Sequence, residues 1–258
     1  MTAYISAIGT ATPPHRISQA DAARFMTEAM ALTPTEKRKL QAVYRLSGIR
    51  QRYSVLEDYG QTYGYYRFFP NSENLEPFPS TRERMAVYNA QAPKLALAAA
   101  TACLKQLQGV TPRDITHLIT ISCTGLQAPG MDIALVQELG LPASVSRSCI
   151  NFMGCYAAIN GLKLARSICL AEPGSKVLMV SVELCTLHFQ NKADEDNLLA
   201  NALFGDGAAA VLVESEEREG LQLALEQFYC DLALEGLDDM AWNIGDTGFE
   251  MRLSSYIP

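Results

Sequence analysis

Short apolar runs alternate with longer helical patterns along almost the whole chain, and this alternation constrains the fold more than any other feature. Tyr4–Thr10, His117–Ser122, Val145–Ile150, Lys176–Glu183 and Ala208–Val213, followed by Leu221–Tyr229, read as strands. Between them, 18–30, 34–46, 80–107, 131–139, 155–171 and 195–203 read as helices. Strands separated by helices predict a layered α/β architecture rather than a helical bundle or a β-sandwich. The run Val177-Leu178-Met179-Val180 is apolar at every position, the pattern of a strand covered on both faces, and Pro173-Gly174 ends the helix before it. Ser80 followed by Glu83 forms a capping box that starts a helix, within which Pro93 predicts a kink or a new first turn. The stretch 58–80, rich in Tyr, Phe, Pro and Gly, reads as a loop excursion. After the acidic turn Glu214–Gly220, strand-like pieces run through Trp242 to Met251. An extended ending on Ile257-Pro258 predicts a further element, so the pattern is that of a truncated chain.

Composition narrows the function classes. With 48% apolar residues in 258, the chain can bury one large core or two smaller ones. No stretch approaches the roughly 18 uninterrupted apolar residues of a membrane span. The net charge of −7 argues against a non-specific nucleic-acid binder, so an anionic ligand requires a local basic patch. The N-terminus has neither the basic start nor the apolar core of a secretory signal, which predicts a cytoplasmic protein. Seven cysteines, odd in number and without a Cys-x-x-Cys pair, predict mostly buried, reduced thiols, with no disulfide framework and no metal site.

Four local patterns bear on chemistry. In Asn151-Phe152-Met153-Gly154-Cys155-Tyr156-Ala157-Ala158, an apolar run ends, a glycine permits a tight turn, and Cys155 opens an Ala-rich helix. Backbone N–H groups and the positive helix end then face the sulfur, the setting of a nucleophilic, acyl-accepting cysteine; a buried structural cysteine is the ordinary alternative. Glu36–Arg52 holds Lys37, Arg38, Lys39, Arg45, Arg50 and Arg52 against one acid, a cluster suited to phosphates such as those of coenzyme A, or a solvated helix face. Gly205-Asp206-Gly207-Ala208-Ala209-Ala210 matches a dinucleotide fingerprint in letters, but it precedes a strand where such a loop must follow one, so a nicotinamide cofactor is excluded. Ser122 to Asp132 forms a loop at the carboxyl end of a strand, where α/β folds place ligands.

Together these patterns resemble the type III polyketide synthases, the chalcone and stilbene synthase family of the thiolase-like condensing enzymes. The resemblance runs from Gly9-Thr10-Ala11-Thr12-Pro13-Pro14 to the last residue. Its most specific parts are Thr124-Gly125 through Pro129-Gly130-Met131-Asp132, Gly154-Cys155, Ala202-Leu203-Phe204-Gly205-Asp206-Gly207-Ala208-Ala209 and Gly245-Asp246-Thr247-Gly248-Phe249-Glu250-Met251. It implies a layered α-β-α-β-α thiolase-like fold, with the N-terminal half in 1–214 and the start of the C-terminal half in 215–258. It also implies a homodimer that uses acyl-CoA and malonyl-CoA as substrates and needs no cofactor.

By the same resemblance Cys155 is the nucleophile that takes an acyl starter from coenzyme A and holds the chain extended by decarboxylative Claisen condensation with malonyl-CoA. Phe204 matches the gatekeeper phenylalanine. Cys123, Cys185, His188 and Met251 match cavity positions, and Ala128 a loop position that reaches into the neighbouring subunit's cavity. Of the family's coenzyme A-gripping basic positions only Lys39 aligns; the other two read Ala42 and Leu46, leaving Arg45 as a substitute. The His and Asn that stabilise thiolate and enolate in the family have no matching motif here. A 3-ketoacyl-ACP synthase III or hydroxymethylglutaryl-CoA synthase type of condensing enzyme is the alternative chemistry, disfavoured by Phe204 and Gly248-Phe249-Glu250-Met251. A non-catalytic thiolase-fold partner is the alternative of another class, disfavoured by the retained Cys155.

Overall fold

The protein is described by a computed structural model over residues 2–237 and 239–254. In chain order its elements are β1 (Ala3–Ala11), β2 (His15–Ser18), α1 (Gln19–Ala29), α2 (Pro34–Leu46), β3 (Gln51–Ser54), α3 (Thr81–Leu104), β4 (His117–Ser122), α4 (Met131–Leu139), β5 (Ser146–Asn151), α5 (Ala157–Ala171), β6 (Lys176–Leu184), α6 (Glu195–Leu203), β7 (Asp206–Glu214), β8 (Leu223–Leu225), β9 (Met240–Gly245) and β10 (Gly248–Leu253). The chain forms two compact units from interleaved segments. One takes 1–12, 89–183 and 207–231, the other 13–88, 184–206 and 232–258. The closing Ile257-Pro258 lies outside the described residues.

The first unit is built on a six-stranded mixed sheet in the order β5-β4-β6-β7-β1-β8. β4 runs parallel to β5 and β6, while β1 runs antiparallel to β7 and β8. β4 and β6 are central because their apolar runs leave nothing to present to water: Leu118, Ile119, Val177, Leu178 and Val180 are all buried. Ile119, Ile121, Val177 and Met179 pack with Ala157, Ala165 and Cys169 of α5. Gly161 makes that contact possible, since a Cβ there would lie 2.6 Å from Met179 Sδ and 2.7 Å from Ile121 Cδ1. The start of α5 is thereby held tightly on the sheet.

The second unit contains α1, α2, α6, the β2–β3 ribbon and the β9–β10 hairpin. Ser18 caps α1, and Thr33 with Glu36 forms a capping box on α2. An aromatic cluster of Phe25, Tyr59, Tyr66, Phe69, Phe78 and Phe189 fills its interior. The loop-rich stretch 58–80 is ordered by buried Asp58, which accepts from the amides of Arg67 (3.1 Å), Phe68 (2.9 Å) and Phe69 (2.8 Å).

Three sequence expectations need correction. The strand expected at Leu221–Tyr229 is only Leu223–Leu225, because the carbonyls of Leu225 and Glu226 accept from Arg166 (2.7 and 3.1 Å) instead of from a neighbouring strand. No second helix starts at Pro93, which sits inside the single helix α3. The cysteines are all free but not mostly buried: Cys103, Cys123 and Cys169 are buried and Cys185 half-buried, whereas Cys149 on the edge strand β5, Cys155 and Cys230 are exposed. No helix among the described residues is long and apolar enough to cross a membrane.

Gly9 of β1 marks the tightest approach in the first unit, where an added Cβ would lie 2.2 Å from the Cys103 amide nitrogen and 2.4 Å from the Ala99 carbonyl oxygen. Backbone cannot yield as a side-chain tip can, so Gly9→Ala should destabilise the protein by about 3 kcal/mol. A shift in the urea midpoint at unchanged slope measures it; an unshifted midpoint would show that β1 and α3 separate freely.

Candidate functional site

Cys155 lies just beyond the carboxyl end of β5. The strand ends at Asn151, Phe152 and Gly154 turn the chain at φ 59° and 65°, and a 3-10 turn over Gly154–Tyr156 leads into α5 at Ala157. A left-handed phenylalanine is costly and persists only where its surroundings fix it; here the Phe152 amide donates to the Ser122 carbonyl (3.4 Å). The turn holds Cys155 exposed at the helix start. Cys123 stands beside it, its thiol donating to the Gly154 carbonyl oxygen at 3.8 Å, and burial pushes that thiol above its ordinary range. Glu183, at the end of β6, accepts from the Cys123 amide (2.8 Å) and the Thr124 hydroxyl (2.6 Å); burial raises its pKa. Ala128 is exposed on the loop that follows.

Phe204 lies at the end of α6, and its backbone is clamped from both sides. Half-buried Arg52 donates to the carbonyls of Asn201 (2.6 Å), Ala202 (3.0 Å) and Phe204 (2.8 Å), places its guanidinium 5.3 Å from the Tyr44 ring centroid, and is steadied by Gln19 Oε1 (2.9 Å). A cation thus meets the carbonyl end of α6, where the helix dipole is negative. Two residues on, buried Asp206 accepts from the Thr186 amide (2.8 Å), the Thr186 hydroxyl (2.7 Å) and the Val55 amide (2.8 Å). Asp206 therefore ties the start of β7 to the turn Cys185–His188. Arg52 is thus a structural cation, which removes it from the phosphate-binding cluster expected from composition.

Phe204 and Cys185 line two small cavities of about 30 Å³ each. One is walled by Arg52, Tyr59 and Thr186, the other by His188, Asn197, Trp242 and Met251. Four of the expected site residues, Cys185, His188, Phe204 and Met251, are brought together there. His188 is buried, accepts from the Phe249 amide at Nδ1 (2.9 Å), stacks on the Phe249 ring (4.1 Å between centroids) and meets the edge of Trp242. Buried Arg84 supports the turn by donating to the carbonyls of Leu187 and Phe189, the latter at 3.1 Å. Asp206, Glu183, Arg52, Arg84 and Trp242 were not assigned these roles from sequence; of these, Asp206 lay in the Gly205–Ala210 motif and Arg52 in the basic cluster.

Lys39 and Arg45 are both exposed on α2 but do not share a face. Six residues at about 100° each place them about 120° apart around the axis, whereas Arg45 lies nearly in line with Arg38. Exposed Leu46 shares the face of Lys39.

The sequence profile of the chalcone and stilbene synthase N-terminal domain matches residues 1–217. An alpha-pyrone synthesis polyketide synthase-like protein of Mycobacterium tuberculosis is 30% identical over 260 residues, covering 99% of this chain and 64% of its own length. Type III polyketide synthase C of Arabidopsis thaliana is 32% identical over 235 residues, covering 88% of this chain and 59% of its own. The chain thus spans less than two thirds of the length of these relatives. The solved structure of PKS-I from the brown alga Ectocarpus siliculosus superposes with a TM-score of 0.90 at 28% identity, over 100% of this chain and 68% of that one. The layered thiolase-like architecture expected from the motifs is the one that structure has.

Asp206 supplies a test of the clamp. Burial raises its pKa from 3.8 to about 6, so the folded state holds a proton that the unfolded chain releases in that window. The protein should lose stability relative to the non-titrating variant Asp206→Asn as pH rises from about 4 to 6, by up to about 3 kcal/mol. Urea melts of both proteins across that window measure the difference; a constant difference would show that Asp206 does not titrate there.

Proposed function

The chain belongs to the chalcone and stilbene synthase family, and on that premise we propose that it serves polyketide formation by acyl transfer from coenzyme A thioesters. The observation that carries this reading is Cys155, exposed on a strained turn between β5 and α5. Its sulfur attacks the carbonyl carbon of an acyl-CoA, coenzyme A leaves as the thiol, and the acyl group remains as a thioester on Cys155. Malonyl-CoA then loses carbon dioxide, and the electron pair of the broken bond becomes an enolate that attacks the acyl carbonyl. The carbon–sulfur bond to Cys155 breaks, leaving a chain two carbons longer on coenzyme A and ready to return to the cysteine. No cofactor enters this sequence.

Phe204 is the gatekeeper in this reading, and its clamped backbone suits a wall that must not drift. The resemblance assigns Cys123, Cys185, His188 and Met251 to the space for the chain, while Lys39, with Arg45 as a second contact, grips the phosphates of coenzyme A. The homodimer and the place of Ala128 in a neighbouring cavity belong to the same proposal. The edge strand β5 with exposed Met153, Tyr156 and Ile159 offers unpaired backbone beside apolar surface, which suits a second copy. A cytoplasmic location fits seven free thiols.

Incubation of the 258-residue chain with acyl-CoA thioesters should add one acyl mass, located on Cys155 by peptide mapping and absent in Cys155→Ala. Release of polyketide from malonyl-CoA should stay undetectable, because the resemblance assigns enolate stabilisation to a His and an Asn without counterparts among residues 1–258, and losing one such donor costs a hundred- to a thousandfold on the order of magnitude. Acylation elsewhere, or unchanged in Cys155→Ala, would remove the nucleophile from its assigned role.

The two cations separate by their faces. Lys39→Glu should weaken coenzyme A binding by about tenfold or more, the effect of one charge-assisted phosphate contact, and Arg45→Glu by less. Calorimetric titration with coenzyme A measures both, and equal affinities in wild type and Lys39→Glu would return the cluster to a solvated helix face.

A further inference from the structure

We propose that the outer face of the β2–β3 ribbon binds a phosphate monoester between Arg16 and Arg50, at a site separate from the coenzyme A contacts of Lys39. Register decides which side chains share that face. In the antiparallel ribbon Arg16 pairs with Tyr53, Ile17 with Arg52 and Ser18 with Gln51, and directly paired residues stand on the same side. Ile17 and Arg52 therefore share one side, where Ile17 is buried and Arg52 holds the end of α6. Arg16, Ser18 and Gln51 occupy the other side and are exposed. Together with Asp21, Ile49 and Arg50 they line an open basin of about 810 Å³. Arg50 is fixed there by its backbone: its carbonyl accepts from the Gln19 amide at 3.1 Å, which fastens the connection from α2 to β3 against the start of α1.

The charges lining the basin do not cancel. Arg16 donates from Nε to Gln51 Oε1, a neutral acceptor, and among the described residues neither Arg16 nor Arg50 forms an ion pair with a carboxylate. The one carboxylate in the lining is already engaged: Asp21 accepts from the Ser18 hydroxyl (2.6 Å) and from Arg24 (2.8 Å). Asp21 and Arg24 neutralise each other, which leaves two guanidinium charges on one basin in a chain whose net charge is −7. The start of α1 supplies little, since the Asp21 amide donates to Ser18 Oγ (3.0 Å) and the Gln19 amide to Arg50. The donors on offer are therefore the two planar forks. A phosphate monoester matches them with up to two charges near neutral pH and three acceptor oxygens, whereas a carboxylate brings one charge and two oxygens, enough for one guanidinium. The basin is larger than a phosphate group. Half-buried Ile49 gives it an apolar surface against which the organic part of an ester rests.

Titration of protein labelled with nitrogen-15 arginine tests the site. The Nε–H signals of Arg16 and Arg50, identified by their loss in Arg16→Gln and Arg50→Gln, should shift saturably with inorganic phosphate and at lower concentration with ribose 5-phosphate. Acetate at the same ionic strength should leave them in place. Affinity for ribose 5-phosphate, followed by calorimetry, should fall about tenfold in either variant, the effect of one charge-assisted phosphate contact. Arg16→Gln also removes the bond to Gln51 within the ribbon, whereas Arg50→Gln removes no side-chain bond among the described residues and so reads the ligand contact alone. Lys39→Glu should leave ribose 5-phosphate binding unchanged. Signals that stay still or respond equally to acetate, or an affinity unchanged in Arg50→Gln, overturn the site. Ribose 5-phosphate bound no tighter than inorganic phosphate overturns its assignment to an ester, and binding lost in Lys39→Glu overturns its separation from the coenzyme A contacts.

Discussion

The position of Phe204 depends on a cation set against the open end of a helix. The last carbonyls of α6 have no partners within the helix, and Arg52 takes those of Asn201, Ala202 and Phe204 at once. One planar guanidinium with its donors in a fixed fork can do this, whereas an ammonium presents a point charge on a flexible stem. Gln19 completes the clamp by accepting from Arg52 and donating to Ala202, so α1 and β3 are fastened to the same helix end. Asp206 follows after a single glycine and fastens the other side to Thr186. The wall of the cavities is thus fixed through bonds to backbone groups, and His188 adds one of its own by accepting from the Phe249 amide.

How much of this was legible in the sequence depended on the range of the interactions involved. The Cys155 turn could be read because every determinant is local: an apolar run, a glycine, then a helix former, within a few residues. α2 and α6 could be read for the same reason, with apolar periodicity and caps inside one stretch. The β2–β3 ribbon could not, because each strand has four residues and the pairing of His15 with Ser54 is made across two intervening helices. Leu221–Tyr229 erred in the other direction. Its alternating apolar residues suit a strand, but Arg166, more than fifty residues earlier, takes the carbonyls that would continue the ladder.

Arg52 shows why composition misjudged the basic cluster. Six cations in seventeen positions raise the local positive charge whatever their side chains touch, so a count cannot separate a phosphate contact from a helix cap. The distinction lies in partners distant in sequence: Arg52 finds carbonyls about 150 residues later, whereas Lys39 and Arg45 stay exposed on α2. Helical phase divides those two further, since a ligand that rests against Lys39 also rests against Leu46. The face with Lys39 is therefore part charge and part apolar.

The same reasoning separates the thiols. Cys103 and Cys169 are buried, which pushes both up to about 11 and leaves them protonated at neutral pH. Cys123 is also buried, beside the Glu183 carboxylate, whose charge disfavours a thiolate further. Glu183 thus performs two tasks: it orders the loop after β4 by accepting from Cys123 and Thr124, and it disfavours the Cys123 thiolate. Cys155, on the adjacent turn, follows the strained backbone of Phe152 and stays exposed rather than packed. Burial and charge thus hold Cys103, Cys123 and Cys169 as thiols, while Cys155 is exposed.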